Sequence, residues 1–481
     1  LIGEPIVAIR AMQICKLVKL TPPVGLLCRS ISGSRHVGQA IRQTHPHLID
    51  GDDLTPGISL KEYQDRQLFL LSQLPIGSIA IVASSSQKYQ SWSIPYEYRQ
   101  NSTFHYLCGI DQPDMLLVLQ KLQRNEVRRC LFLKDKPDGR IGYVAPRLYP
   151  EDAKQYFGMT ETYDITKIDS VLPSLIGSSK NLFTYTTADA SLHKAVTSSL
   201  STLSDLTVKS LLPELDRIRW IKSLNEQKLL RYASSICSSA FNELSAIPLI
   251  GIENRLSTSF EHSVKLRGAQ VAFPTQVAGG GNSQFIQYAC NDCVINPGDN
   301  ILIDCGAAIH GYNSDMARVV FAGDVATGVK ARADVYLGLN EVYESCLKQL
   351  KTEEKCSLQD LHGTVVSGIA RLLKEVGLLK SSSVETIVEQ KLYFKYFPHY
   401  SCHYIGLDNN DTPTVSYGAP LTPGVAFCIE PGLYFDDDEE VPEELRHFGV
   451  RVEDTLLYVD TKTVDVLTKE SPRIPVSLLS G

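Results

Sequence analysis

The stretches Ile301-Leu-Ile-Asp-Cys-Gly306 and Gly311-Tyr-Asn-Ser-Asp-Met-Ala-Arg318 decide how the second half of this chain folds. Each joins an apolar run of strand length to an aspartate, Asp304 in the first stretch and Asp315 in the second. An apolar run, a glycine-containing turn and a second apolar run are typical of a β-hairpin. We therefore predict a hairpin that brings both carboxylates to one point. Alone the pair is weak evidence, because aspartates equally cap turns.

Three later stretches each place one more ligand-type side chain in or beside an apolar strand: Phe397-Pro-His-Tyr-Ser-Cys-His403, Ile429-Glu-Pro-Gly432 and Val450-Arg-Val-Glu453. Four carboxylates in one cleft would repel one another and take up protons unless cations offset their charge. Oxygen-rich coordination with one imidazole suits manganese, cobalt or zinc, and paired metal ions activate water. The sequence therefore predicts two divalent metal ions and a hydrolytic reaction.

Composition limits the class of protein. The chain has 481 residues, 43% of them hydrophobic and 21% charged, and no apolar run long enough to span a membrane is visible. The net charge of -7 is spread along the chain, so no basic face for nucleic acid is predicted.

The twelve cysteines lack the spacing of a disulfide framework, which favours a reducing compartment. Cys290-Asn-Asp-Cys293 resembles half a zinc site or a redox motif, but two ordinary thiols explain it as well.

The length predicts two or three domains. Residues 44–220 alternate short apolar runs with helix-like stretches, which predicts a mixed sheet covered by helices. Residues 221–481 begin with an apolar stripe from Leu229 to Leu244 at helical spacing, and two further stripes follow. The predicted fold class is α/β (α+β), with an N-terminal mixed α/β domain and a C-terminal metal-binding domain.

Residues 1–43 have a different character. Basic and hydroxyl side chains are frequent there, and no Asp or Glu occurs between Met12 and Asp50. This composition is typical of a mitochondrial transit peptide, although Pro22 and Pro23 interrupt any amphipathic helix. The alternative is a disordered basic N-terminus.

Over roughly residues 37–470 the chain resembles the aminopeptidase P and prolidase group, which has the pita-bread fold in its C-terminal domain. Besides the stretches above, the resemblance lies in these pieces: Tyr98-Arg-Gln-Asn-Ser-Thr-Phe-His-Tyr-Leu-Cys-Gly109, Pro398-His-Tyr-Ser-Cys-His-Tyr-Ile-Gly-Leu-Asp408, Glu430-Pro-Gly-Leu-Tyr434 and Gly449-Val-Arg-Val-Glu-Asp454. Residues 38–48 and 54–59 look like the mitochondrial branch, which includes the intermediate-cleaving peptidase. That branch trims single residues from imported proteins.

The resemblance implies roles for individual residues. Asp304 is expected to hold one metal ion, Asp315 and Glu453 to bridge the pair, and His403 with Glu430 to hold the second, with Mn²⁺ as the expected metal. Glu430 is also expected to handle the proton. The remaining expected site residues are Arg451, which steadies Asp304 unless it forms only a structural ion pair, and His399 and Tyr434, which line the substrate pocket. Peptide or protein N-termini are the expected substrates, a homodimer is expected, and a mitochondrial location is expected with a cytoplasmic one as the alternative.

Two substrate-pocket positions depart from the family pattern. Gln287 and Asn410 stand where the family has histidine. An amide cannot become cationic or carry a proton near neutral pH as imidazole can. Losing a general acid or base costs about 10² to 10⁴-fold in rate. The leading hypothesis is an Xaa-Pro type aminopeptidase that removes one N-terminal residue; the alternatives are a weak or inactive pita-bread binding module and a dipeptide-specific prolidase, which the mitochondrial-branch motifs disfavour.

Overall fold

The computed structural model describes residues 36–123, 126–136, 146–177, 179, 181–185, 194, 196–198, 207–323 and 329–475. The prediction of a transit peptide or disordered segment at residues 1–43 falls on residues outside these ranges, apart from 36–43. Among the described helices, none is both long and apolar enough to cross a membrane.

Helices and strands alternate along the described chain. The helices are α1 Leu60–Gln73, α2 Ser102–Cys108, α3 Pro150–Phe157, α4 Ile168–Ile176, α5 Leu212–Trp220, α6 Leu224–Ser245, α7 Glu253–Leu266, α8 Val329–Thr352, α9 Leu358–Glu375 and α10 Val384–Glu389. The strands are β1 Asp53–Thr55, β2 Ile58–Ser59, β3 Ile79–Ala83, β4 Tyr89–Ser91, β5 Ile94–Pro95, β6 Leu116–Gln123, β7 Glu126–Leu133, β8 Glu161–Asp164, β9 Asn181–Tyr185, β10 Thr207–Ser210, β11 Gly251–Ile252, β12 Gln270–Val271, β13 Gln276–Gly279, β14 Val294–Ile295, β15 Asn300–Cys305, β16 Ala307–Ile309, β17 Tyr312–Asn313, β18 Met316–Phe321, β19 Cys402–Tyr404, β20 Ala426–Ile429, β21 Gly432–Phe435, β22 Phe448–Arg451, β23 Asp454–Asp460 and β24 Thr463–Val466.

The N-terminal half contains a six-stranded sheet in the order β10-β9-β3-β6-β7-β8. β3 pairs parallel with β9 and antiparallel with β6, so the predicted mixed sheet is confirmed. Side chains alternate between the two faces of each strand. Accordingly Ala80 and Val82 pack in a core with α1 and α2, whereas Ile79 and Ile81 pack in a second core with α4.

Small antiparallel sheets form the centre of the C-terminal half. They include the three-stranded sheets β12-β16-β17 and β13-β15-β18, the four-stranded sheet β19-β20-β23-β24 and the two-stranded sheet β21-β22. The predicted apolar stripes lie on α6, α8 and α9. Their residues are buried in the cores of this half, except Leu229 of α6, which is buried in the core that includes α1 and α2. Ser357 caps α9 through a reciprocal hydrogen-bond pair with Asp360, which matches the predicted start of this helix.

The connection between the two aspartate-bearing segments is longer than the predicted simple hairpin. β15 and β18 pair directly, with Asp304 opposite Ala317, but a second hairpin, β16–β17, is inserted between them. His310 (φ +50°) and Gly311 (φ +89°) form its turn, a left-handed conformation at both positions that suits the twist of a two-residue hairpin loop. Asp315 consequently precedes β18 and does not lie within it.

The inserted hairpin also reaches the N-terminal half. The hydroxyl of Tyr312 donates to Glu226 Oε1 (3.0 Å) and accepts from Arg66 Nη2 (3.5 Å). Tyr312 and Leu407 belong to the same buried core as α1, α2 and α5. The two halves therefore share one apolar core on this side of the molecule.

Candidate metal centre

The five predicted ligands come from separate segments of the C-terminal half. Ligand atoms of Asp315, His403 and Glu453 lie close enough to share an ion, Glu430 adjoins His403, and Asp304 interacts electrostatically with Asp315 and His403. Asp304 lies in β15 and His403 in β19, whereas Asp315 precedes β18, Glu430 follows β20 and Glu453 joins β22 to β23. Pairing of β19 with β20 and of β20 with β23 brings the segments that carry His403, Glu430 and Glu453 side by side. Four of the side chains are buried, and Glu430 is half-buried.

His403 is the common neighbour of three carboxylates. Its Nε2 lies 3.5 Å from Asp315 Oδ2, 3.6 Å from Glu453 Oε1 and 3.9 Å from Glu430 Oε1. Its Nδ1 lies 3.1 Å from the backbone carbonyl of Tyr404, which accepts only if Nδ1 carries the proton. In the neutral imidazole that a metal ion requires, the lone pair of Nε2 would then point toward the carboxylates, which is the arrangement of a metal-ligating histidine.

Several oxygen atoms of the cluster are buried without a hydrogen-bond donor. Asp304 Oδ1, Asp315 Oδ1 and Glu453 Oε1 have no partner among the described residues. A buried acceptor without a partner is costly, and a buried carboxylate more so. Three such atoms beside one imidazole fit divalent cations with oxygen and nitrogen ligands.

The acid–base properties of the metal-free cluster show the same excess of negative charge. Burial raises the pKa of Asp304 to about 6, with Arg451 opposing the shift and Asp315 adding to it. Burial likewise raises the pKa of Glu430 to about 7 and holds the pKa of Glu453 well above its usual range. Burial lowers the pKa of His403, but the carboxylates of Asp315 and Glu453 outweigh burial and leave that pKa well above its ordinary value. Cations would relieve this repulsion.

Arg451, Tyr434 and His399 form a chain of contacts beside the cluster. Arg451 Nη2 donates to Asp304 Oδ2 (2.5 Å), and Nη1 donates to the Tyr434 hydroxyl (2.6 Å). That hydroxyl lies 3.1 Å from His399 Nε2, and His399 Nδ1 is 3.8 Å from Glu430 Oε2. Burial and the nearby Arg451 lower the pKa of His399 to about 4, so this imidazole is neutral near pH 7. Arg451, which was predicted to steady Asp304, and the predicted pocket residues His399 and Tyr434 are therefore brought together with the carboxylates.

Gln287 and Asn410, the two positions that depart from the family pattern, are both exposed. Gln287 follows Ile286, which packs against the C-terminal core. Asn410 lies in the loop after β19. Both side chains are thus accessible to water and to a bound molecule, unlike the buried ligands.

Two residues near the cluster were not predicted from the sequence. The thiol of Cys428 and ligand atoms of Asp315, His403 and Glu453 all lie within 4.8 Å of one another, so Cys428 is a further potential metal ligand. Cys428 comes close to the cluster because it is the strand partner of His403. Asn409 donates from Nδ2 to Asp315 Oδ2 (2.8 Å). Neither residue type is distinctive in sequence, and only the strand pairing and the loop path reveal them.

A second group of potential ligands, Glu253, Asp292 and Cys293, lies elsewhere in the described chain. Both carboxylate oxygens of Glu253 already accept hydrogen bonds, Oε1 from the backbone of Gly279 and Oε2 from the Tyr288 hydroxyl and the backbone of Cys293. This group therefore fits a structural network. Cys290 and Cys293 are free and exposed, so the close cysteine pair forms no disulfide here.

A buried, carboxylate-rich centre with one imidazole, held by paired strands in a chain that also carries an N-terminal α/β half, fits a metal-dependent hydrolase. Residues 228–460 match the metallopeptidase family M24, and residues 63–183 match the aminopeptidase P N-terminal domain. The chain belongs to the M24 metallopeptidases and carries the N-terminal domain of aminopeptidase P.

Relatives agree over nearly the whole chain. Xaa-Pro aminopeptidase 3 of Dictyostelium discoideum is 32% identical over 91% of this chain and 86% of the relative. The mitochondrial intermediate cleaving peptidase 55 of Arabidopsis thaliana is 31% identical over 96% of this chain and 91% of the relative. Zinc-substituted aminopeptidase P of Escherichia coli, solved with product, is 26% identical with a TM-score of 0.81 over 88% of this chain and 98% of the other.

These likenesses confirm the predicted fold, a mixed α/β domain followed by a pita-bread domain, and the predicted family. The chain is an aminopeptidase P-like metallopeptidase, and the matches lend no support to an inactive binding module. Divalent metal ions are the cofactors of this enzyme class, and the buried cluster is a candidate place for them.

Proposed function

We propose that this protein is a dinuclear metallo-aminopeptidase that removes a single N-terminal residue from peptides or imported mitochondrial proteins, with a preference of the Xaa-Pro type. The observation that carries the proposal is a group of buried potential ligands that includes Asp315, His403 and Glu453, in which Asp315 Oδ1 and Glu453 Oε1, like Asp304 Oδ1 nearby, have no hydrogen-bond donor among the described residues. The relatives named above are Xaa-Pro aminopeptidases and intermediate cleaving peptidases, which supports the reaction class.

Asp304, Asp315, His403, Glu430 and Glu453 would hold two divalent metal ions. Mn²⁺ is the proposed metal because the donor set is mostly oxygen, which suits a harder cation. Two such ions, when bound, offset the carboxylate charge, polarise a substrate carbonyl and lower the pKa of water. Cys428 lies beside the imidazole and is protonated, since burial holds the pKa of its thiol well above the ordinary value.

The accessible carboxylate of the cluster is suited to proton transfer. The side chain of Glu430 is 20% exposed, whereas that of Glu453 is 2% exposed, so water and substrate reach Glu430 more readily. Glu430 would take a proton from the attacking water and deliver it to the departing nitrogen of the peptide bond. His399 lies next to Glu430 and would contact the substrate near that nitrogen.

Arg451 and Tyr434 would orient this machinery. Because Arg451 donates to the Tyr434 hydroxyl, the phenolic proton is free to point toward His399 or toward a substrate carbonyl. The same guanidinium holds Asp304 at its other arm.

Gln287 and Asn410 would line the substrate pocket as neutral hydrogen-bonding groups. The exposure of both amides is consistent with contact to a bound peptide. Substrate recognition by amides would not depend on pH near neutrality, in contrast to recognition by histidine.

Location, assembly and domain limits belong to the same proposal. The mitochondrial relative and the basic, hydroxyl-rich residues 1–43 support a mitochondrial location, with a cytoplasmic one as the alternative. We propose a homodimer, which light scattering would test. The proposed domains are 44–220 and 221–481, and α5 ends at Trp220.

The test is release of the first residue from paired tripeptides that carry proline or alanine at the second position. Purified protein would be stripped of metal with a chelator and reloaded with Mn²⁺. We expect release only after reloading, faster with proline, and two metal ions per chain by elemental analysis. Glu453→Gln is expected to lower that stoichiometry, and Lys61→Gln, an exposed change far from the cluster, is the control.

Absence of release from every peptide despite two bound metal ions would refute the aminopeptidase. Wild-type metal content in Glu453→Gln would refute the coordination scheme. Release from dipeptides but not from tripeptides would instead indicate a prolidase.

A further inference from the structure

The loop that follows β19 places an amide against one of the candidate bridging ligands. Asn409 Nδ2 lies 2.8 Å from Asp315 Oδ2, and this oxygen is also the atom that faces His403 Nε2 at 3.5 Å. An ionised carboxylate only accepts hydrogen bonds, so the NH₂ group and not the carbonyl of Asn409 must face it. The contact therefore restrains the rotation of the Asp315 carboxylate.

The loop itself is held in place from both sides of Asn409. Asp408 accepts from Ser102 Oγ (2.6 Å) and from Arg219 Nη2 (2.8 Å). Asp411 pairs with Arg219 and with Lys222 Nζ (2.9 Å). Ser102 and Arg219 belong to α2 and α5 of the N-terminal half. Because both flanking aspartates are fixed, the amide of Asn409 has little freedom to leave Asp315.

We propose that Asn409 is a positioning residue for the metal centre, which fixes the carboxylate of Asp315 before the cations arrive. This inference rests on the proposed function, because it assumes that Asp315 is a metal ligand. Each carboxylate oxygen has two lone pairs, so Oδ2 can accept from Asn409 and still have a lone pair for a cation. Asp315 Oδ1, which has no partner among the described residues, keeps both of its own.

Hydrogen bonds to a ligating carboxylate tune affinity by orienting the ligand, and their removal typically weakens metal binding by about 10- to 100-fold. Asn409→Leu keeps the approximate size of the side chain and removes the donor. We expect the dissociation constant of the more weakly bound Mn²⁺ to rise by about that factor. The KM for a peptide at saturating Mn²⁺ is expected to stay unchanged, because the amide is engaged by Asp315 and not by substrate.

The experiment is calorimetric titration of metal-free protein with Mn²⁺, accompanied by thermal unfolding of the same metal-free samples. The matched control is Asn225→Leu, which removes another asparagine-to-carboxylate hydrogen bond, from Asn225 Nδ2 to Glu62 Oε2 (2.9 Å), away from the cluster. Asn409→Ser is a second variant in case the leucine prevents folding.

Weaker Mn²⁺ binding in the Asn409 variants, wild-type binding in Asn225→Leu, and metal-free unfolding midpoints within about 2 °C of wild type would support the inference. Equal Mn²⁺ affinity in wild type and both Asn409 variants would overturn it. A lower midpoint without a change in affinity would also overturn it, since the residue would then be structural. Failure of the wild-type protein to bind Mn²⁺ would instead overturn the proposed function.

Discussion

Asp411 is the shared partner of two buried cations, and its neutralisation gives the sharpest test of how the loop after β19 is held. The side chains of Asp411, Lys222 and Arg219 are 1%, 1% and 4% exposed. Asp411→Asn removes one negative charge and changes the volume hardly at all, so the effect is electrostatic. Arg219 retains the carboxylate of Asp408 as a partner at 2.8 Å. Among the described residues Lys222 then has no carboxylate partner, and its other hydrogen bond is to the backbone carbonyl of Trp220 at 3.3 Å.

The magnitude follows from leaving one buried ammonium without a counter-charge. Breaking a buried ion pair from one side costs about 3 to 5 kcal/mol. That range corresponds to roughly two to four powers of ten in the unfolding equilibrium constant. The control is Asp65→Asn, which removes an exposed pair with Lys61 whose side chains are 76% and 56% exposed. Exposed pairs of this kind contribute less than about 1 kcal/mol.

The pH dependence of the free energy of unfolding gives a second test of the ion pairs that Asp411 forms. Burial alone raises the pKa of Asp411, but Arg219 and Lys222 outweigh burial and hold the pKa below its ordinary value. A carboxyl whose pKa is depressed in the folded state stabilises above its unfolded pKa of about 4 and loses that contribution as the pH falls further. The difference between wild type and Asp411→Asn is therefore expected to be constant from pH 8 to about pH 5 and to shrink below pH 4.

Urea unfolding followed by tryptophan fluorescence is the assay. Trp220 is two residues from Lys222. Its ring packs edge-on against the ring of Tyr404, with the ring centroids 5.9 Å apart, so the fluorescence of Trp220 reports on this region. The reasoning would be refuted if Asp411→Asn shifted the free energy of unfolding no more than Asp65→Asn, or if the difference between wild type and variant persisted undiminished at pH 3.

Three further changes test the site. Tyr434→Phe removes the hydroxyl that Arg451 orients, and we expect kcat/KM to fall by about 10²-fold in a peptide-release assay while Mn²⁺ content stays the same. Replacing Gln287 and Asn410 together by histidine is expected to raise kcat by about 10²-fold at pH 7, if proton transfer limits turnover, and to make the pH–rate profile steeper near neutrality. Gly449→Ala is expected to lower stability by at least about 1 to 3 kcal/mol in thermal unfolding, because the added Cβ would lie 1.9 Å from a backbone oxygen of Ser283.

Each of these three predictions has an outcome that would contradict it. Unchanged kinetics in Tyr434→Phe would limit that residue to a packing role. No gain from the two histidines would mean that the site moves protons by another route. For Gly449→Ala the control is Gly363→Ala in α9, where a Cβ meets no atom within 4 Å and alanine favours the helix. Equal melting temperatures for the two glycine variants would contradict the packing argument.

Much of the architecture was predictable because its signals are local. The stripe from Leu229 to Leu244 has helical spacing and lies on α6, and the apolar run at residues 79–83 forms the buried strand β3. The predicted ligands converge in the structure because each sits in or directly beside an apolar strand. A charged side chain among apolar neighbours signals a partner even before the partner is known.

What escaped prediction depends on contacts between distant segments. β16 and β17 contain three and two residues, too few for an alternation of apolar and polar side chains to be visible. Cys428 comes beside His403 only through the register of β19 with β20, and Asn409 reaches Asp315 only through the path of a loop. Register between strands that are far apart in sequence is fixed by tertiary packing and not by local pattern.

The inserted hairpin β16–β17 contacts both halves of the molecule. It connects Asp304 to Asp315 at one end, and its Tyr312 is bound to Arg66 and Glu226 at the other. The segment that joins two candidate metal ligands is therefore anchored by side chains of α1 and α6, in addition to its own strand pairing. The relative placement of Asp304 and Asp315 thus rests on residues that are themselves no part of the predicted ligand set.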